Sequence, residues 1–138
     1  MLTENDVVRY VCEYLLNNGY TVQQQLNTTQ HGIDIIACKN NIQLMVEAKG
    51  ATSASSRTNR FGLIFNQKQV KHHVAMALYT ISRLITHHGN DSIRYAIALP
   101  RNQNHVDSVH AIQAAIDKME IVLIWVDESG AVEVNAVL

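Results

Sequence analysis

Gly32-Ile33-Asp34-Ile35-Ile36-Ala37-Cys38-Lys39-Asn40-Asn41-Ile42-Gln43-Leu44-Met45-Val46-Glu47-Ala48-Lys49 reads as two strands, Gly32 to Lys39 and Ile42 to Lys49, folded back on each other at Asn40-Asn41. Asparagine tolerates the positive φ angles that a two-residue hairpin turn demands. A loop of that length sets Asp34 opposite Glu47, Ile35 opposite Val46 and Ile36 opposite Met45; a three-residue loop would shift the register. In the two-residue register the Cβ atoms of Asp34 and Glu47 stand about 4.5–5.5 Å apart. Side chains alternate along a strand, so Lys49 shares the face of Glu47, and Gly32 opposite it has no side chain to crowd it.

Two carboxylates facing each other in an otherwise apolar sheet repel unless a cation or a shared proton offsets the charge. A divalent metal is the economical answer. Oxygen-only ligands suit magnesium, or manganese in its place, and nothing in this stretch offers zinc a sulfur and nitrogen set. A cation held by Asp34 and Glu47 beside the positive charge of Lys49 is chemistry for phosphodiester hydrolysis. The competing reading, in which Asp34 caps its strand while Glu47 and Lys49 form a surface ion pair, leaves the apolar surroundings unexplained.

Outward from the hairpin, apolar residues Val7, Val8, Val11, Tyr14 and Leu15 recur at helical spacing between Thr3 and Asn18. Tyr20 to Leu26 reads as a polar edge strand, and Asn27 to His31 as a turn-forming loop. On the other side Gly50 to Asn59, rich in Ala, Ser and Thr, reads as a mobile loop. A long helix is predicted from about Asn66 to His88, stopped by Gly89, with His87-His88 as dipole-favoured end residues. A strand over Ile93 to Leu99, a helix over His105 to Met119, a buried strand over Ile121 to Val126 and a last strand over Ala131 to Val137 complete the chain. The fold class is α/β, a mixed sheet flanked by helices in the order α-β-β-β-α-β-α-β-β, formed by one domain over residues 1–138.

The 138 residues, 47% of them hydrophobic, suffice for a real core. No apolar run approaches the roughly 20 residues that span a bilayer, and Met1 to Tyr20 lacks the pattern of a signal peptide, so a cytoplasmic location with no membrane partner is expected. Cys12 and Cys38 read as reduced, buried thiols. The net charge is -1, yet between Glu47 and Asp91 there is no acidic residue, while Lys49, Arg57, Arg60, Lys68, Lys71 and Arg83 fall there with four histidines. Such asymmetry predicts either one positive region that steers a polyanion or a solvated helix face without acids.

Gly32-Ile33-Asp34-Ile35-Ile36, followed across a hairpin by Val46-Glu47-Ala48-Lys49-Gly50, resembles the PD-(D/E)xK nuclease superfamily, including its Mrr-like and Holliday junction resolvase-like members. The resemblance spans roughly residues 3–88 and implies the restriction-endonuclease-like fold. It also implies that Asp34 and Glu47 bind magnesium, with Ala48 between Glu47 and Lys49 counted in the metal site, while Lys49 positions or deprotonates the attacking water. Members of the family often add an acid from the first helix. At 100° per residue Glu4 falls with Val8, Val11 and Leu15, whereas Glu13 falls with Asp6 and Arg9 on the solvated side, so Glu4 is the first choice and Glu13 the second. Gln69-Val70-Lys71-His72-His73 is similar to the Gln-x-x-x-Tyr element of RecB-like nucleases, with His73 in place of tyrosine, which adds Gln69 to the catalytic set unless it is an ordinary polar helix edge. Arg57 and Arg60, with Thr52, Ser53, Ser55 and Ser56, are candidate phosphate contacts, and Lys68, Lys71 and His73 extend the nucleic-acid surface. Phe61 to Phe65 fits a core segment or a dimer contact equally well.

The leading functional expectation is a magnesium-dependent endonuclease acting on DNA, working as a homodimer where both strands must be cut. A module that keeps the nuclease fold but only binds nucleic acid or a partner protein is the alternative. A subunit serving a larger complex, in restriction or mobile-element biology, is the third.

Overall fold

Asn40 and Asn41 take φ angles of 54° and 64°, which closes the two-residue turn between β2 (Ile35–Lys39) and β3 (Ile42–Ala48). The register follows, with Ile35 opposite Val46, Ile36 opposite Met45 and Lys39 opposite Ile42. The computed structural model describes residues 1–53, 63–136 and 138. Before the hairpin come α1 (Glu4–Asn17) and β1 (Thr21–Gln25); after it come α2 (Gln67–His88), β4 (Ile93–Pro100), α3 (Gln103–His110), α4 (Gln113–Lys118), β5 (Val122–Val126) and β6 (Val132–Val134).

The six strands lie in sequence order. β1, β2 and β3 form an antiparallel meander, β4 and β5 run parallel to β3, and β6 returns antiparallel at the far edge. Alternation divides the sheet between two cores. Ile35, Ala37, Leu44, Val46, Ala96 and Ala98 pack against Val7, Val8, Val11 and Leu15 of α1. Met45, Tyr95, Ile97 and Leu99 pack against Val70, Val74, Ala77 and Ile81 of α2, with Val109 of α3 and Ile116 of α4. This is the expected mixed sheet with helices on both faces. No described helix is long and apolar enough to cross a membrane.

The chain departs from the sequence reading at three places. His105 to Met119, predicted as one helix, forms two. The Ile112 N–H bonds to the carbonyl of Val109 at 3.0 Å, and the φ of -123° at Ile112 interrupts the α-helical ladder. The last strand, predicted over Ala131 to Val137, runs over Val132–Val134 among the described residues, and the side chain of Asn135 takes the N–H of Leu123 at 2.9 Å where a backbone carbonyl would have continued the ladder; Val137 lies outside the described residues. Finally, the start of the expected mobile loop is anchored. Ala51 donates to the Leu2 carbonyl at 2.7 Å, Phe65 returns to the Ala51 carbonyl at 2.8 Å, and Thr52 donates its hydroxyl to the Leu63 carbonyl at 2.7 Å.

Candidate functional site

Asp34 immediately precedes β2, and Glu47 lies in the last turns of the β3 ladder, at the carboxyl end of the parallel strands. Open α/β sheets place their ligands at such ends. The Asp34 carboxylate accepts a hydrogen bond from the Ala48 N–H at 2.8 Å and shares another with the Glu47 carboxyl. Lys49 Nζ stands 3.2 Å from Glu47 Oε1, in an ion pair whose side chains are only 21% and 10% exposed. It is therefore not the surface ion pair of the competing reading.

Burial raises the proton affinity of this group of acids. It pushes Glu47 up to about 7, reinforced by the charge of Asp34, with Lys49 opposing and Glu4 adding a smaller push. Asp34 is also raised by burial, against the hydrogen bond from Ala48 and the charge of Lys49. Glu4 is raised by burial first and by Asp34 second, with Lys49 again opposing. Both carboxyls therefore hold protons to higher pH than they would in water.

Glu4 reaches this place because Gly50 lets the start of α1 approach the end of β3. A Cβ at Gly50 would lie 2.4 Å from the Glu4 nitrogen and 2.7 Å from the Thr3 carbonyl carbon. Thr3 and Asp6 close a capping box that starts α1 there. Glu13 lies outside, 57% exposed and paired with Arg9.

A small cavity of about 210 Å³ joins Glu4, Lys49, Thr52, Ser53, Phe65 and His73. His73 packs its ring edge-on against Phe65 at 4.5 Å, and its Nδ1 is buried without a hydrogen-bond partner. Burial, then the charge of Lys49, lowers its proton affinity. Behind it His105 is fully buried. Its Nδ1 meets Asn102 Oδ1 at 2.7 Å, and burial, then His73, pushes it down to about 4. The available signal was its spacing of four residues from buried Val109, which places a histidine on the apolar face of α3.

Of the remaining expected residues, Gln69, Lys68 and Lys71 are not among those lining this cavity. Gln69 closes the capping box of α2, its Oε1 accepting from the Asn66 N–H at 2.9 Å. Lys68 and Lys71 are exposed, about 140° and 160° around the helix from His73 at 100° per residue. They line instead a groove between α2 and α3. Thr52 is buried, its hydroxyl committed to Leu63, so it is no phosphate contact. Arg57, Arg60, Ser55 and Ser56 lie outside the described residues, as do Phe61 and Gly62. Within the same apolar stretch Leu63 and Ile64 are exposed, while Phe65 packs on the α2 core.

Two crystal structures are similar to the chain over most of its length. One is an XisH family protein from Nostoc punctiforme PCC 73102, 16% identical, with a TM-score of 0.49 over 94% of this chain and 95% of that one. The other is an fdxN element excision controlling factor protein from Anabaena variabilis, also 16% identical, with a TM-score of 0.48 over 93% and 96%. No family model and no curated protein matches the chain.

The donor set suits a hard divalent cation. Asp34 and Glu47 present oxygens only, and their proton affinities are raised, chiefly by burial and for Glu47 also by the charge of Asp34, a cost to the ionised pair that a bound cation would offset. Among the described residues no three His, Cys, Asp or Glu side chains stand close enough to hold an ion. Glu4 therefore acts on the pair through its charge, and Ala48, whose side chain carries no donor, can contribute only a main-chain carbonyl. Magnesium accepts so sparse a protein shell, because it keeps waters and binds phosphate oxygens.

Proposed function

We propose that the protein is a magnesium-dependent endonuclease that hydrolyses phosphodiester bonds of DNA, a member in function of the PD-(D/E)xK nucleases that its hairpin resembles. The observation that carries this reading is the buried Asp34–Glu47 pair with Lys49 at 3.2 Å from Glu47. Asp34 and Glu47 would hold the cation. Magnesium, when bound, supplies Lewis acidity at a phosphate oxygen. Lys49 places positive charge beside the phosphate as negative charge develops there. His73, which lines the same cavity as Glu4, offers a ring nitrogen to a water or phosphate oxygen. Incubation with supercoiled, linear and branched DNA, in magnesium and then in EDTA, tests the proposal: cleavage of at least one form is expected in magnesium alone. Absence of cleavage in a preparation that binds manganese would overturn it.

One observation favours a second reading, a nuclease-fold module that binds without cutting: no three His, Cys, Asp or Glu side chains are grouped closely enough to hold an ion among the described residues. DNA binding unchanged by Glu47→Ala, with no turnover in the parent protein, is the outcome that would select it.

A further inference from the structure

Lys68 and Lys71 point away from the candidate site, and the surface they do line has a composition of its own. The groove between α2 and α3, about 960 Å³, has a floor and walls of Val74, Ala75, Leu78, Tyr79, Ala111 and Ile112, with both lysines at one end. Tyr79, on the groove wall, is 61% exposed. An apolar strip of this kind on a monomer surface marks an interaction site more often than chance exposure does.

We infer that this groove is a docking site for an acidic amphipathic helix of another protein. The shape argues for a helix. The α2 residues on the groove run from Gln67 to Ser82 at spacings of three and four, a length on the order of 22 Å, which matches about four turns of a second helix laid into it. The charge argues for an acidic one. From Gln67 to His88 the helix carries Lys68, Lys71 and Arg83 and no carboxylate. The carboxylate on the groove wall is Asp107, on the α3 side, and it takes a hydrogen bond from Gln103 at 2.6 Å. A second copy docked α2 to α2 would bring these cations together, a like-charge juxtaposition that interfaces avoid. Duplex DNA would match the cations but leave the apolar floor uncovered.

The test uses the intact protein and a labelled helical peptide of about 18 residues, with leucines at i, i+4, i+7 and i+11 flanked by glutamates, read by fluorescence anisotropy. Saturable binding is expected, weakening as salt is raised. Ala75→Arg, which fills an exposed part of the groove and leaves the core untouched, should weaken it at least tenfold. Lys68→Glu with Lys71→Glu should do the same, and should bind a lysine-flanked version of the peptide in exchange. Absence of saturable binding, or equal affinity for the glutamate and lysine peptides, overturns the inference. So does a dimer in light scattering that Ala75→Arg dissociates, which would make a second copy the occupant. Competition of duplex DNA for the peptide, lost with the lysine changes, would assign the surface to nucleic acid.

Discussion

The first turn of α1 carries acids on two sides, and the two behave in opposite ways. On the solvent side Asp6 takes the Thr3 N–H at 3.0 Å and pairs with Arg9, and its proton affinity is lowered, chiefly by the backbone hydrogen bond to Thr3. On the sheet side Glu4 faces Asp34 and Lys49, and its proton affinity is raised, chiefly by burial. Both acids have a cation nearby. Pairing alone therefore does not decide the charge state; removal from water does, and it also makes the inner group a place where a bound cation is favourable.

The largest effect should come from the inner pair. Glu47→Gln is expected to abolish cleavage and manganese binding together, and also to remove a pH dependence. The carboxyl is raised from 4.5 to about 7 in the folded protein, so between those values the folded chain holds more proton than the unfolded one. Its contribution to stability is fully present below about 4.5 and is lost as pH rises through about 7. For one proton the slope is at most about 1.4 kcal/mol per pH unit. Melting in EDTA from pH 5 to 8 should show the decline in the parent and a flatter profile in Glu47→Gln. A decline that persists would mean that another group carries the proton.

Lys49→Ala should separate the cation's role from the carboxylates'. Turnover is expected to fall by roughly 10² or more, the scale of one lost electrostatic contact to the transition state, while calorimetric titration with manganese stays near the parent. A variant that cuts as well as the parent would remove Lys49 from the chemistry.

The hairpin was legible in the sequence because its information is local. Two asparagines fix the loop length, loop length fixes register, and register brings Asp34 to Glu47. Glu4 was legible by periodicity for the same reason. What could not be read depends on contacts between distant segments. Gly50 looks like any loop glycine until α1 is laid across it, and Thr52 looks like a phosphate contact until Leu63 takes its hydroxyl. Lys68 and Lys71 share a helix with His73, but only the packing of α3 shows that their side faces a groove. The break at Ile112 has no proline or glycine to announce it.

Gly50→Ala tests the long-range part. The added methyl would meet backbone atoms of Thr3 and Glu4, which cannot swing aside as a side chain would, so the start of α1 must shift. A loss of about 1–3 kcal/mol is expected in urea denaturation, the usual range for overpacking. Manganese affinity should weaken as Glu4 moves off, and Glu4→Gln should weaken it without the loss of stability. Equal stability in Gly50→Ala and the parent would mean that α1 is held less closely than the geometry shows.

The smallest effect belongs to the solvent side. Asp6→Ala removes the acid that closes the capping box with Thr3, where the Asp6 N–H also donates to Thr3 Oγ1 at 3.1 Å. The expected cost is about 0.5 kcal/mol, within the range for one such capping feature, with cleavage and manganese binding unchanged. Its pH dependence should also run the other way. A carboxyl whose proton affinity is lowered on folding stabilises above its unfolded value of 3.8 and loses that contribution as pH falls through its folded value. Asp6→Ala should therefore flatten the acid limb of the stability profile, below about pH 4, and leave untouched the decline between pH 5 and 7 assigned to Glu47. If Asp6→Ala changed the upper limb instead, the two sides of α1 would be electrostatically coupled, and the contrast between them would not hold.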